Sequence, residues 1–384
     1  MLLRSRIPRS PLKLIKMQVD HPSNLLQPEW IEIIRSGSAE AERTGLLQPK
    51  QLELIYQQQW FKLLVPEVYS GTEKPLPEMV RLEESLAWAD GSVGWVITLC
   101  SGAGWFAGFM PIKEASLIFA GPKVCLAGSG ASNGTATISG SGFILNGSWK
   151  YASGAQHATH FTANCVVKEA QETVLGEDGN PLILSFILNK KDVKLISAWK
   201  YTGMMGTGSD AFEIKNLKVS ADQSFKINPD FALVDGPLYR YPFLQLAEAT
   251  LAANLSGMAI HFMDLAEVVF TEKIGQDKLS INQKTVLRNT FKSLEIEFRQ
   301  IRQGFYQALD QSWMLLLQDK KSMVKEALQE VSRTSRLLAK KSRETVDELY
   351  PYCGLLAASP DTEINRVWRD FHTASQHSLL TFLE

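Results

Sequence analysis

Gly121-Pro122-Lys123, followed at once by Val124 to Ala136 (VCLAGSGASNGTA), marks the point where the chain changes character. Upstream, from Pro28 to about Phe119, apolar residues fall mostly at three- and four-residue steps: Trp30, Ile33 and Ile34, then Leu52, Ile55 and Tyr56, then Val80, Leu82, Leu86 and Trp88. That spacing predicts helices. The break at Asp90-Gly91-Ser92 ends one of them, and Ser92 is placed to cap the next, Val93 to Phe109. Downstream, as far as about Pro237, short runs such as Thr135–Ser139, Phe143–Leu145, Phe161–Val167, Leu182–Leu188 and Phe212–Val219 alternate with Ser-Gly, Asn-Gly and Asp-Gly turn formers. They predict strands.

From about Tyr241 the helical period returns. Leu287, Phe291, Leu294, Phe298, Ile301 and Phe305 alternate steps of four and three, which puts them on one face of a long helix. Gly and Pro are almost absent from Ser280 to Glu348, with Lys320-Lys321 marking a turn, so antiparallel helices should form a bundle. The expected fold is mostly α with an inserted β domain. Residues 1–16 form a poorly ordered extension, 17–121 an N-terminal helical domain, 122–237 a central β barrel-like domain and 238–384 a C-terminal helix bundle.

With 384 residues, 45% of them apolar and 21% charged, the chain can bury substantial shared cores. A formal net charge of −1 gives no electrostatic footprint for nucleic acid. The most apolar windows, such as 93–109, are interrupted by Gly, Ser and Cys and fall short of the ~20 residues of a membrane span. Met1 to Met17 carries Arg4, Arg6, Arg9, Lys13 and Lys16 without an acid. This reads either as a transit-like or surface-binding peptide or, the favoured reading, as a poorly ordered extension or an over-called start with Met17 as the true initiator. Cys100, Cys125, Cys165 and Cys353 are scattered among apolar residues and read as reduced core thiols of a cytoplasmic protein.

Three segments of the β region could meet a ligand. Val124 to Ala136 has small residues that bare its amides and hydroxyls to a planar heterocycle. Trp149-Lys150-Tyr151-Ala152-Ser153-Gly154-Ala155 offers aromatic stacking followed by hydroxyls. Trp199 to Asp210 (WKYTGMMGTGSD) leads into a strand. Each alone also reads as tight β turns. No GxGxxG follows a strand and opens a helix, and no GxxxxGK[ST] occurs, which disfavours Rossmann and P-loop sites. His157 and His160 stand three apart with no third ligand placed beside them, so no metal site is expected.

The order of these segments, the helical stretches around them and the closing Arg369-Asp370 make the chain resemble the acyl-CoA dehydrogenase superfamily over about Trp30 to Leu380. The resemblance implies a flavin, FAD by preference with FMN as the alternative. It places Leu126, Ala127 and Asn133 along the ring and Trp149, Tyr151 and Ser153 on its other side, with Gly203 to Ser209 closing the β domain nearby. Exposed bundle faces, such as a Leu287–Phe305 face more apolar than one partner helix needs, point to a homodimer or homotetramer.

The chain departs from that pattern where the chemistry is done. Dehydrogenases of this kind often carry a catalytic glutamate eight residues after the Arg-Asp pair, and that position is Ser378, preceded by His377. A serine hydroxyl is too weak a base to remove an α proton. The RxxFG segment that grips the FAD diphosphate should lie near Glu272-Lys273-Ile274-Gly275, without its arginine and phenylalanine, and the GGxG segment is reduced to Cys353-Gly354-Leu355-Leu356. Monooxygenases of the same fold that take reduced flavin from a separate reductase use a histidine near this position, with a serine or threonine of the flavin segment, to form or stabilise a flavin C4a-peroxide.

His377 with Ser153 fits that pattern, His372 is the weaker candidate, and a histidine's pKa near ~6.5 suits proton exchange at neutral pH. Helix packing is the ordinary role for Trp88, Trp95 and Trp105. Trp95 is the preferred substrate-pocket candidate, because Gly91 and Gly94 should leave room beside it, and Ser378 is the second. The main expectation is a flavin-dependent oxidoreductase of the acyl-CoA dehydrogenase family with His377 as acid/base, dehydrogenation and oxygenation both left open, acting on an acyl thioester or an aromatic with an electron-transfer flavoprotein or a separate flavin reductase. The alternatives are a reductase-dependent monooxygenase hydroxylating an aromatic substrate and a non-catalytic binding relative.

Overall fold

The protein is described here by a computed structural model covering residues 19–276, 278–318 and 321–381, so the expected 1–16 extension and Lys320 lie outside the described residues. Five helices come first: α1 (Pro28–Thr44), α2 (Pro49–Gln57), α3 (Leu76–Ala89), α4 (Gly91–Trp105) and α5 (Ile112–Phe119). Prolines at the first turn start α1 and α2, where a missing N–H costs nothing. Ser92 is not the cap of α4. The Asp90 carboxylate takes that role, accepting from the Val93 N–H at 2.8 Å, since Ser92 already lies within the first turn. Nor do Gly91 and Gly94 leave room beside Trp95: a Cβ on Gly94 would stand 2.5 Å from the Ala87 Cα, and one on Gly91 2.6 Å from the Met258 Sδ. These glycines let α4 press against its neighbours.

The strands are β1 (Leu126–Ser139), β2 (Gly142–Ala152), β3 (His160–Glu169), β4 (Glu172–Thr173), β5 (Ile183–Asn189), β6 (Lys194–Ile196), β7 (Asp210–Ser220) and β8 (Ser224–Phe225). They form one mixed sheet in the order β6-β7-β2-β1-β3-β5-β8, with β4 pairing on β3. Only the central β1 and β3 run parallel, and their register shifts between Ser129 and Gly134. The Thr135–Ser139 run thus ends a single strand that begins at Leu126 and has an irregular middle. One face of the sheet closes over Trp149, Phe161 and Phe212, all fully buried, with Trp149 stacked on Phe212 at 4.9 Å.

Helices resume with α6 (Pro237–Arg240), α7 (Phe243–Gly275), α8 (Ile281–Leu317) and α9 (Lys321–Cys353), then α10 (Leu355–Ala358), α11 (Glu363–Ala374) and α12 (Ser378–Thr381). The predicted stripe holds in one helix, since Leu287, Phe298 and Phe305 are buried and Phe291, Leu294 and Ile301 pack against the same core. From Leu246 to Met263 almost every residue of α7 is buried, because α3 and α9 both lie against it. The fully buried Glu84 of α3 binds these layers together, accepting from Arg302 Nε (2.7 Å) and Nη2 (2.6 Å), the Tyr306 hydroxyl (2.7 Å) and the Ser256 hydroxyl (2.5 Å). A buried carboxylate is tolerable only when paired and hydrogen-bonded in this way. All four cysteines are free and buried, and no described helix is long and apolar enough to cross a membrane.

Candidate active site

A cavity of about 440 Å³ opens between α4, the start of α7, the sheet and the C-terminal tail. It falls in the ~300–1,000 Å³ range of small-molecule sites. On the helical side stand Leu99, Phe106, Phe243, Leu246 and Leu251, and on the sheet side Ser129, Thr162, Asn164 and Ser185. Small residues keep it open. Gly102 of α4 and Gly130 of β1 both line it, and a Cβ built on either has nothing within 4 Å.

Of the residues singled out from sequence, His377 lines this cavity. It sits between α11 and α12, where its Nδ1 accepts from the Leu379 N–H at 3.4 Å. In the neutral ring that leaves the proton on Nε2. Burial pushes the His377 pKa below its ordinary value, which favours the neutral form at physiological pH. The Trp95 ring meets His377 edge-on at 6.1 Å, and its Nε1–H donates to the Ser153 hydroxyl at 3.1 Å. Ser153 is in turn 2.9 Å from the Ser209 hydroxyl, which is 2.6 Å from that of Thr207. The fold therefore joins α4, the end of β2, the Gly203–Ser209 loop and the tail in one contiguous polar and aromatic chain.

The other candidates are placed elsewhere. His372 turns to α9, its Nε2 3.2 Å from Asp347 and its ring 4.4 Å from Trp368. Ser378 is exposed at the start of α12, and Asn133 is exposed in the irregular part of β1. Trp149 does not face a ligand. Its ring is fully buried between sheet residues and its Nε1–H donates to the Asn164 carbonyl at 3.1 Å, so the side chain belongs to the β core. Leu126 and Ala127 are buried at the start of β1, immediately before the cavity-lining Gly128-Ser129-Gly130. Tyr151 joins a half-exposed cluster with Trp199 and Tyr201, its hydroxyl 2.8 Å from that of Tyr201.

The Arg369-Asp370 pair acts as a latch on the Gly203–Ser209 loop. Asp370 accepts from the Met204 N–H, and Arg369 donates to the Thr202 carbonyl at 2.8 Å while pairing with Glu42 of α1. A Cβ on Gly203 would stand 2.1 Å from the Arg369 carbonyl oxygen, so only glycine permits this approach. Burial, reinforced by the Asp90 charge, raises the Asp370 pKa to about 7. His157 accepts from the Leu47 N–H at 3.2 Å and burial lowers its pKa to about 4, while His160 Nδ1 lies 3.0 Å from the Thr159 hydroxyl. Both histidines are thus engaged locally. Among the described residues no three His, Cys, Asp or Glu side chains are grouped to hold a metal.

Sequence reading missed Thr98, Gly102, Thr162, Asn164, Ser185 and the α7 wall. No amphipathic stripe marks the α7 residues, because that helix is buried on nearly every side from Leu246 to Met263. Thr207 and Ser209 lay within a quoted segment, but their hydroxyls were not distinguished from turn formers.

Comparison with known proteins agrees with this architecture. Residues 249–382 match the family "Acyl-CoA dehydrogenase, C-terminal domain". The chain is 24% identical over 330 residues to the indole-3-acetate monooxygenase of Acinetobacter baumannii, covering 83% of this chain and 80% of that one. It is 23% identical over 367 residues to the flavin-dependent monooxygenase oxygenase subunit HsaA of Mycobacterium tuberculosis, covering 90% and 88%. The crystal structure of XiaF from Streptomyces sp., in complex with FADH2 and glycerol, superposes with a TM-score of 0.78 at 22% identity, covering 92% of this chain and 89% of that one. The chain has the fold of the acyl-CoA dehydrogenase superfamily, and its residues 249–382 match that family's C-terminal domain. It is an oxidoreductase whose curated relatives are named monooxygenases.

Proposed function

We propose that this protein is the oxygenase component of a two-component flavin monooxygenase that hydroxylates an aromatic substrate, using reduced flavin supplied by a separate reductase. The observation that carries the reading is the make-up of the cavity. Its one ionisable lining side chain among the described residues is His377, and no aspartate or glutamate stands where a dehydrogenase would need a base for the α proton of an acyl thioester. The names of the two curated relatives support the same choice, which replaces the dehydrogenase expectation with the oxygenase alternative.

The residues present fit a flavin. Gly128-Ser129-Gly130 bare the β1 backbone to the cavity, and Gly130 leaves space that any side chain would fill. Among the structural neighbours one holds FADH2 and another FMN, and FAD remains the preferred flavin with FMN as the alternative. Bound and reduced, the flavin would supply the electrons for oxygen activation, with one oxygen atom entering the substrate and the other leaving as water. His377, with Nε2–H free of the Leu379 contact, is positioned to donate a hydrogen bond into the cavity and to exchange a proton with a phenol or peroxide there. Ser153 and Trp95 act as positioning residues that hold the His377 side of the site in register with the Gly203–Ser209 loop. Exposed Ile281, Val286 and Ile296 along α8 support association into a homodimer or homotetramer.

The test supplies FAD, NADH, a flavin reductase and a panel of phenols and indoles under oxygen. The expected result is a hydroxylated product whose new oxygen derives from O2. Bleaching of the oxidised, flavin-loaded protein by acyl-CoA thioesters, with no hydroxylation of any panel member, would overturn the reading in favour of dehydrogenation.

A further inference from the structure

From the charge balance of the cavity we infer that its substrate is an uncharged aromatic, and that the carboxylate forms taken by some monooxygenases of this fold are rejected. This rests on the monooxygenase reading and sharpens it. No Asp, Glu, Lys or Arg lines the cavity among the described residues.

Three buried ionisable groups on neighbouring elements are already committed. Glu248, beside the lining residue Ala247 on α7, is fully buried and takes hydrogen bonds from Arg336 of α9 at 2.8 and 3.2 Å. Glu83 on α3 accepts from the Ser101 hydroxyl at 3.0 Å, and burial raises its pKa to about 8, which holds it neutral. Lys62 donates to the carbonyls of Phe119 and Gly121, both at 3.0 Å. No Lys or Arg among the described lining residues supplies the cation that a carboxylate would need. His377 does not substitute for it, because burial favours its neutral form and its Nδ1 already accepts from Leu379.

A neutral ring system with a hydroxyl, amide or ring N–H finds what it needs here. Its apolar faces meet Leu99, Phe106, Phe243 and Leu251, and its polar group meets Thr162 or Ser185. A carboxylate brought into the same space loses its water without gaining a cation, a penalty far larger than that for a neutral amide of the same shape.

Matched pairs that differ only in charge test this: indole-3-acetamide against indole-3-acetate, and phenylacetamide against phenylacetate. Affinity is measured by isothermal titration calorimetry on the FAD-loaded full-length protein, and hydroxylation is measured separately with reductase, NADH and oxygen. The amides should bind at least about tenfold tighter than the acids. Acids that bind as tightly as their amides, or an amide series that does not bind at all, would overturn the inference. Hydroxylation is independent of that ratio. If the amides bind selectively but no product forms, the monooxygenase reading fails and the charge selectivity stands. If product forms from acids and amides bound alike, the reverse holds.

Discussion

Gly102→Leu should make the protein more stable and a worse binder at once. Gly102 lies inside α4, lines the cavity, and has nothing within 4 Å of the place a Cβ would occupy. Replacing a helical glycine with a good helix former gains roughly 1 kcal/mol. For a protein this size that raises Tm by on the order of 2 °C. The leucine carbons take on the order of 100 Å³, when a cavity of ~150 Å³ is enough for benzene. From the cavity's 440 Å³ the substitution removes most of the space of one ring. A substrate forced against the new side chain meets an overpacking cost of about 1–3 kcal/mol, or roughly 5- to 150-fold in affinity. Scanning calorimetry and titration with an aromatic ligand read the two effects separately, and Gly102→Ala should keep most of the stability gain with a smaller affinity loss. A folded leucine variant with unchanged affinity and turnover would refute the placement of the substrate in this cavity.

The two C-terminal histidines should separate cleanly. His377→Ala should lower turnover by about 10²–10⁴-fold with flavin binding retained, whereas His372→Ala, whose ring faces Asp347 on α9, should leave turnover within about twofold of wild type; steady-state hydroxylation assays decide this, and equal effects would remove His377 from its role. Asp370 gives a pH signature. Its pKa is raised to about 7 in the folded state against about 3.9 unfolded, so the native chain holds the proton more tightly. The contribution is fully present below about pH 4 and is lost as pH rises through about 7, at up to ~1.4 kcal/mol per pH unit. Asp370→Asn keeps the acceptor for Met204 N–H, so denaturant melts at several pH values should show this slope flattened and the variant gaining on wild type toward pH 8. An unchanged slope would mean that Asp370 is charged throughout.

The helical, β, helical order was legible because it is written in local period. The steps of Leu287 to Phe305 survive as a single buried stripe, and the turn formers between 122 and 237 do separate strands. Local signals failed where the decision was tertiary. Ser92 looks like a cap until Asp90 is seen to reach Val93 first, and Gly91 and Gly94 look like space until α3 and α7 fill it. Trp149 illustrates the limit best. A tryptophan at the end of a strand can stack on a ligand or on a phenylalanine, and only the register of β2 against β7, which pairs it with Phe212, decides for the core. His377 was found through resemblance and chain position. The residues that enclose its cavity come from α4, α7, β1, β3 and β5, and no sequence window contains them together.

Replacing a carboxylate with a neutral imidazole alters what the site asks of its substrate. A glutamate in a low-dielectric cleft can abstract a carbon-bound proton, but it also repels anions and admits water to solvate itself. With Ser378 turned outward and His377 inward and neutral, this cavity carries no resident charge among its described lining residues. Oxygen chemistry favours a site from which water is excluded, since water and stray protons would divert the reaction before a substrate reacts. The Ser209–Ser153–Trp95 hydrogen bonds then have a clear purpose. They satisfy the polar atoms nearest the histidine internally, so that the imidazole can face the cavity without bringing a water chain with it. Loss of the carboxylate, neutrality of the histidine and exclusion of charged substrates are on this view one adaptation, and the amide and acid pairs measure its last part directly.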